Sequence, residues 1–269
     1  MKKSCFLAVA TAVAFAAPVL AFPPPIDSAR INPRIFNDFG SSTFSSVNNY
    51  PAHINLTDGN TDGHPAFANL HNWRLSADGG ASSAEFANGE AFSISADVTI
   101  STTGTGGGEG GLTVSPWFSQ DVDGVFNMRT TDGEIAVFGG RLPFYSFTGN
   151  HGITYLAGTT VHVSIEYDPQ AVSAAMPGLI RYTYINPAAV LFTSGWIPFD
   201  EGNPSEDPPY GVWGVLNEAT VGGRLLMFGQ QTSQGSTISA DFDNVTFIPA
   251  PGSVAVLALG GLLVARRRR

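Results

Sequence analysis

Carboxylates on alternate residues are the first chemistry this sequence offers. Asp121-x-Asp123 and Asp241-x-Asp243 each place two acids with the parity of one strand face, the arrangement that could bring two carboxyl groups to the ~5 Å separation used in retaining glycoside hydrolysis. No Glu-x-Asp-x-x-Glu run accompanies either pair, so the first reads as turn chemistry before Gly124 and the second as an exposed strand face. Asp121 and Asp123, with Asp132, are hard oxygen donors that suit calcium, and Glu201, Glu206 and Asp207 form a second acidic loop. Asp121 to Gly124 does not continue to the glutamate of an EF-hand loop. His162 and Glu166 share a strand face with Ser164 between them and are expected to be solvent-facing. No Gly-x-Ser-x-Gly elbow is present. The histidines, His53, His64, His71, His151 and His162, show no zinc spacing. Aromatic platforms for a sugar could come from Trp73, Trp117, Trp196 and Trp213, with Tyr145 and Tyr210 beside loops. At strand positions, tryptophans are expected to fill the core instead.

The elements that must position these residues are strands. Phe92, Ile94, Ala96, Val98 and Ile100 alternate with Ser93, Ser95, Asp97 and Thr99, which predicts a strand with one buried and one polar face. Val161 to Tyr167 repeats the pattern, and so does Ile238 to Phe242. In the last case Val245 and Phe247 fall on the parity of the aspartates, so a bulge near Asn244 is expected to return them to the core. Further strands are expected near 67–75, 111–118, 124–130, 134–138, 179–185, 190–197, 211–216 and 223–229. Asp58-Gly59, Asp62-Gly63, Asp78-Gly79, Asn88-Gly89, Asp123-Gly124 and Asp132-Gly133 supply tight turns between them. Gly104 to Gly111 reads as a flexible loop and Glu201 to Pro209 as an acidic, Pro-rich one. Residues 22–66, rich in Pro, Ser and Asn, read as an irregular leader lying across the domain. Residues 67–248 then form an all-β, antiparallel two-sheet sandwich in one domain.

The stretch from Ala84 to Phe247 resembles a concanavalin A-like jelly roll, on Ala91 to Val98, on Gly110 to Trp117 after a Gly-rich run, and on Ala240 to Val245. That superfamily holds lectins, glycan-binding modules, laminarinase-type hydrolases and proteins without activity, so the resemblance implies a fold and does not choose a function.

Both ends of the chain carry traffic signals. Lys2 and Lys3 precede an apolar stretch from Phe6 to Ala17, and Val19-Leu20-Ala21 offers small residues to a signal peptidase, which predicts a signal helix in 1–21 and cleavage between Ala21 and Phe22. Cys5 falls in the removed segment, so packing rather than disulfides must hold the mature chain. At the other end, Pro249-Ala250-Pro251-Gly252 precedes an apolar segment at 253–265 and then Arg266, Arg267, Arg268 and Arg269. As a helix, that segment covers about 20 Å, a short membrane span held by its arginines on the cytoplasmic side. This order resembles the PEP-CTERM sorting signal of exported bacterial proteins, with Ala250 where the usual motif has glutamate. The resemblance implies an exosortase, a membrane protease, as partner, and transient anchoring at 249–269 before surface display or release.

Between these ends seven arginines and no lysine face 22 acidic residues, a balance that excludes a phosphate-neutralising face for nucleic acid. The expectation is an exported cell-surface or extracellular protein of non-catalytic structural or adhesive role. A carbohydrate-binding, lectin-like module is the alternative and a glycoside hydrolase a distant third; no cofactor is expected beyond calcium.

Overall fold

The computed structural model describes residues 25–59, 67–86, 89–114, 124–139, 142–199, 213–214, 221–228 and 235–250. In chain order the strands are β1 (Ser28–Asn37), β2 (Thr43–Asn49), β3 (His53–Gly59), β4 (Ala68–Ser76), β5 (Ala91–Thr103), β6 (Gly107–Val114), β7 (Gly124–Arg129) and β8 (Ile135–Phe138). The short β9 (Tyr145–Ser146) and helix α1 (Phe147–His151) follow, then β10 (Thr160–Asp168), β11 (Leu179–Ile185), β12 (Leu191–Pro198), β13 (Val221–Phe228) and β14 (Thr237–Ala250). They form two antiparallel sheets: sheet A in the order β1-β4-β13-β6-β7-β8-β9, and sheet B in the order β12-β11-β10-β5-β14-β3-β2. The chain crosses repeatedly between the two, giving a jelly-roll-like sandwich.

The alternation read from the sequence decides which faces meet. Ile94, Ala96, Val98 and Ile100 of β5, Val161, Val163 and Ile165 of β10, and Ile238, Ala240 and Phe242 of β14 are buried against Leu112, Val114, Phe126, Met128, Ile135 and Val137 of sheet A. Each valine, leucine, isoleucine, methionine or phenylalanine among them adds about 1.5–3 kcal/mol by leaving water. The bulge expected near Asn244 is present: pairing with β5 shifts between Asp243 and Thr246, and Asn244 adopts a φ of 53°. It returns Val245 to the core, at 3% exposure.

Two expectations are corrected. The segment read as an irregular leader contributes β1 to sheet A and the paired strands β2 and β3 to sheet B. Its polarity misled because β2 is an edge strand exposed along nearly its whole length, so no apolar alternation marks it. Of the Gly-rich stretch read as a flexible loop, Gly107 to Gly111 belong to β6, which begins four residues before the strand expected near 111–118 and lies inside sheet A between β13 and β7; residues 115–118 lie outside the described residues. The β6 glycines serve close packing: a Cβ on Gly111 would sit 1.8 Å from the Phe126 carbonyl oxygen, and one on Gly108 would meet Ile238 of the opposite sheet at 2.5 Å.

The strands expected over 67–75, 124–130, 134–138, 179–185, 190–197 and 223–229 correspond to β4, β7, β8, β11, β12 and β13 within one or two residues. In the stretch 211–216 only Trp213 and Gly214 are described, and neither is in a strand. The helix α1 was not anticipated. Ser146 caps it by accepting from the Gly149 N–H, and Gly152 ends it in the left-handed region at φ 65°. The signal segment 1–21 and the apolar segment 253–265 lie outside the described residues. Among those described, no helix is long and apolar enough to cross a membrane.

Candidate functional site

The two sheets treat their outer faces differently. In sheet B only the inward residues of β5, β10 and β11 are buried, whereas β4 and β6 of sheet A are buried on both faces. Trp73 points inward, meeting Phe242 of sheet B edge-on at 5.7 Å between ring centroids, so Asn72 and Arg74 belong to the outer face of sheet A. By the same parity that face carries Glu109 of β6, Asn127 of β7 and Arg224 of β13. One cross-strand row runs Asn32, Asn72, Arg224, Gly111, Asn127, Ala136. Gly111 leaves the middle of that row without a side chain, between a guanidinium and an amide.

Charge and burial coincide on this face. Glu109 is 2% exposed, Asn127 3% and Arg74 5%. The Asn127 amide donates to Glu109, and its Oδ1 has no hydrogen-bond partner among the described residues. Burial pushes the Glu109 carboxyl up, outweighing the opposing pull of Arg224 and the Asn127 hydrogen bond. At the rim Arg129 grips Asp132 through two hydrogen bonds of 2.6 and 2.7 Å and also reaches Glu134. Sequence reasoning missed this cluster. Its only local signal was a lone acid, Glu109, among the glycines of 107–111.

A second polar group is enclosed between the sheets. Asp58 of β3 and His71 of β4 are both fully buried. The Arg34 N–H donates to His71 Nδ1 at 2.8 Å, so the ring proton is on Nε2 and is donated to Asp58 Oδ2. Asn69 donates to the same carboxylate oxygen at 2.9 Å and to Ser42 at 2.7 Å, and Phe44 stacks on the imidazole at 4.2 Å. Burial alone would push the Asp58 carboxyl up; the donors His71, Asn69 and Ser42 together outweigh it and hold it below its ordinary value. With both ring nitrogens engaged, His71 has none left to activate a nucleophile.

The outer face of sheet B joins several of the residues singled out by sequence. His53, Asp243, Asp97 and His162 stand opposite one another on β3, β14, β5 and β10. His53 bonds Asp243 at 2.7 Å and His162 bonds Asp97 at 2.8 Å. The Asn244 amide, freed by the bulge, donates to the other Asp97 oxygen at 2.8 Å. Burial pushes the Asp97 carboxyl up, but Asn244 and His162 hold it below its usual value. Asp241 lies on the exposed face as expected, partnered by the Asn55 amide at 2.8 Å. Glu166 is not grouped with His162; it pairs with Arg181, whose guanidinium lies 4.7 Å from the Trp196 ring centroid.

Of the tryptophans, Trp73 fills the core as expected, whereas Trp196 is 45% exposed on the edge strand β12. The Tyr145 hydroxyl bonds His151 at 2.8 Å. Asp121, Asp123, Glu201, Glu206, Asp207, His64, Trp117 and Tyr210 lie outside the described residues, as do Ala21, Phe22, Pro251, Gly252 and Arg266 to Arg269. Pro249 and Ala250 are the last residues of β14. Among the described residues, no three His, Cys, Asp or Glu side chains are grouped to hold a metal ion.

No protein-family model matches this chain, and no curated protein matches it. Among solved structures it is similar to an alginate lyase from Corynebacterium sp., at 11% identity and a TM-score of 0.48 over 83% of this chain and 94% of that one. It is similar also to a GH16 protein from Bacteroides ovatus, at 11% identity and a TM-score of 0.46 over 82% and 94%. Peanut lectin aligns at 12% identity and a TM-score of 0.37 over 82% and 98%. At such values the likenesses carry no activity over to this chain, and the architecture stands on its own strand pairing.

Proposed function

We propose that this chain is an exported cell-surface or extracellular protein with a non-catalytic structural or adhesive role, delivered by its signal segment and sorted through its C-terminal signal. The observation that carries the non-catalytic part is how the acids and imidazoles are used. Asp58 with His71, Asp97 with His162, Asp243 with His53 and Glu166 with Arg181 each bond across neighbouring strands or sheets, so these groups fasten the sandwich to itself. The order of Pro249 to Gly252, the apolar segment 253–265 and the terminal arginines supports the sorting part. Fractionation of producing cells, with polysaccharide turnover assayed on the exported protein, tests both. Recovery at the surface or in the medium without turnover is the expected result. Turnover that disappears in Glu109→Gln would make it an enzyme.

A second reading, carbohydrate binding, is favoured by the exposed edge of sheet B at β12. Trp196 is 45% exposed there beside the Arg181–Glu166 pair, and a sugar can stack on such a ring while hydrogen-bonding its polar neighbours. A glycan array with the exported protein, with and without calcium, decides this reading: binding lost in Trp196→Ala supports it.

A further inference from the structure

From Thr237 to Asp243, β14 is flanked by β5 on one side and β3 on the other. Beyond the bulge the surroundings change. β3 begins at His53, opposite Asp243, so Thr246 to Ala250 continue in register with β5 alone, from Ser95 to Ala91. This distal stretch is anchored by Phe247, which packs on Phe86 at 4.8 Å and stacks on Phe92 at 5.8 Å. Ile248 is 56% exposed, and Pro249 has no N–H to give the ladder. Pro249 stands opposite Phe92 and Ala250 opposite Ala91.

Half of the sorting motif is therefore sheet. Only Pro251 and Gly252 separate Ala250 from the apolar segment that begins at Ser253, and three residue steps of fully extended chain span at most about 11 Å. A protease cleft that closes around both edges of this motif is met on one of them by β5, within that reach of the bilayer. We propose that Thr246 to Ala250 form a latch: β5 holds the motif in the folded sandwich, and the sorting protease receives it only after this stretch peels away. The inference rests on the sorting reading above. Peeling frees five residues, about 17 Å of chain, and the bulge at Asn244 lets it stop before Val245, which stays in the core.

The test follows processing of the full chain in cells with an active protease of this type, by pulse-labelling and mass spectrometry. Phe247→Ala weakens the latch. A six-residue Gly-Ser spacer between Ile248 and Pro249 leaves Phe247 in place and puts the motif beyond the sheet. Both are expected to be converted several-fold faster than the natural chain, and the spacer variant serves alone if Phe247→Ala does not fold. Equal rates for all three would overturn the latch while leaving the sorting tail standing. Failure of every chain to be processed, the spacer variant included, would remove the sorting reading and the latch with it.

Discussion

Asp58 and Glu109 are two buried carboxyls tuned in opposite directions. Asp58 is held below its ordinary value by its donors, so its contribution is complete above the unfolded value of about 3.9 and is lost as pH falls through the lower folded value. Asp58→Ala leaves buried donors on His71, Asn69 and Ser42 and is expected to lower unfolding free energy by at least about 3 kcal/mol. Urea unfolding between neutral pH and pH 2 checks this, since the variant should also lose part of the acid-side slope. Glu109 runs the other way: its raised value favours the protonated form, and its contribution declines as pH rises through that value. Glu109→Gln is expected to flatten the decline on the neutral side in the same titration. Neither residue was legible as part of a site. Asp58 and His71 come from different sheets, and only closure of the sandwich brings them together.

Strands show in a sequence when one face meets water and the other does not. That is why β5, β10 and β14 could be read directly, down to the bulge at Asn244. β4 could be placed but not interpreted, because polar and apolar residues share both of its buried faces. β6 was legible only from Gly111 onward, since the glycines before it have no side chain to alternate, and β2 has no buried face to mark. The packing role of the β6 glycines gives a sharp test. Gly111→Ala drives a methyl group into the Phe126 carbonyl, and soluble yield together with melting temperature should collapse; Gly79→Ala, with φ 71° but open space around it, should cost only about 1 kcal/mol. At the helix, Ser146→Ala removes the cap on Gly149 and is expected to cost about 1 kcal/mol by denaturant unfolding.

At the scale of the whole molecule, the export reading makes a mass prediction. The exported protein should begin at Phe22 and lack Arg266 to Arg269; intact-mass measurement of the secreted or surface fraction reads both ends at once. A protein retaining its four terminal arginines at the surface would reject processing. The unequal covering of the two sheets has a different consequence, visible in deuterium uptake. Backbone amides of β4 and β6, closed off on both sides, should exchange only through opening of the entire sandwich, while those of the bare edge strand β2 should label within the earliest time points. The molecule would thus wear from one margin of sheet B inward, with sheet A the last part to yield.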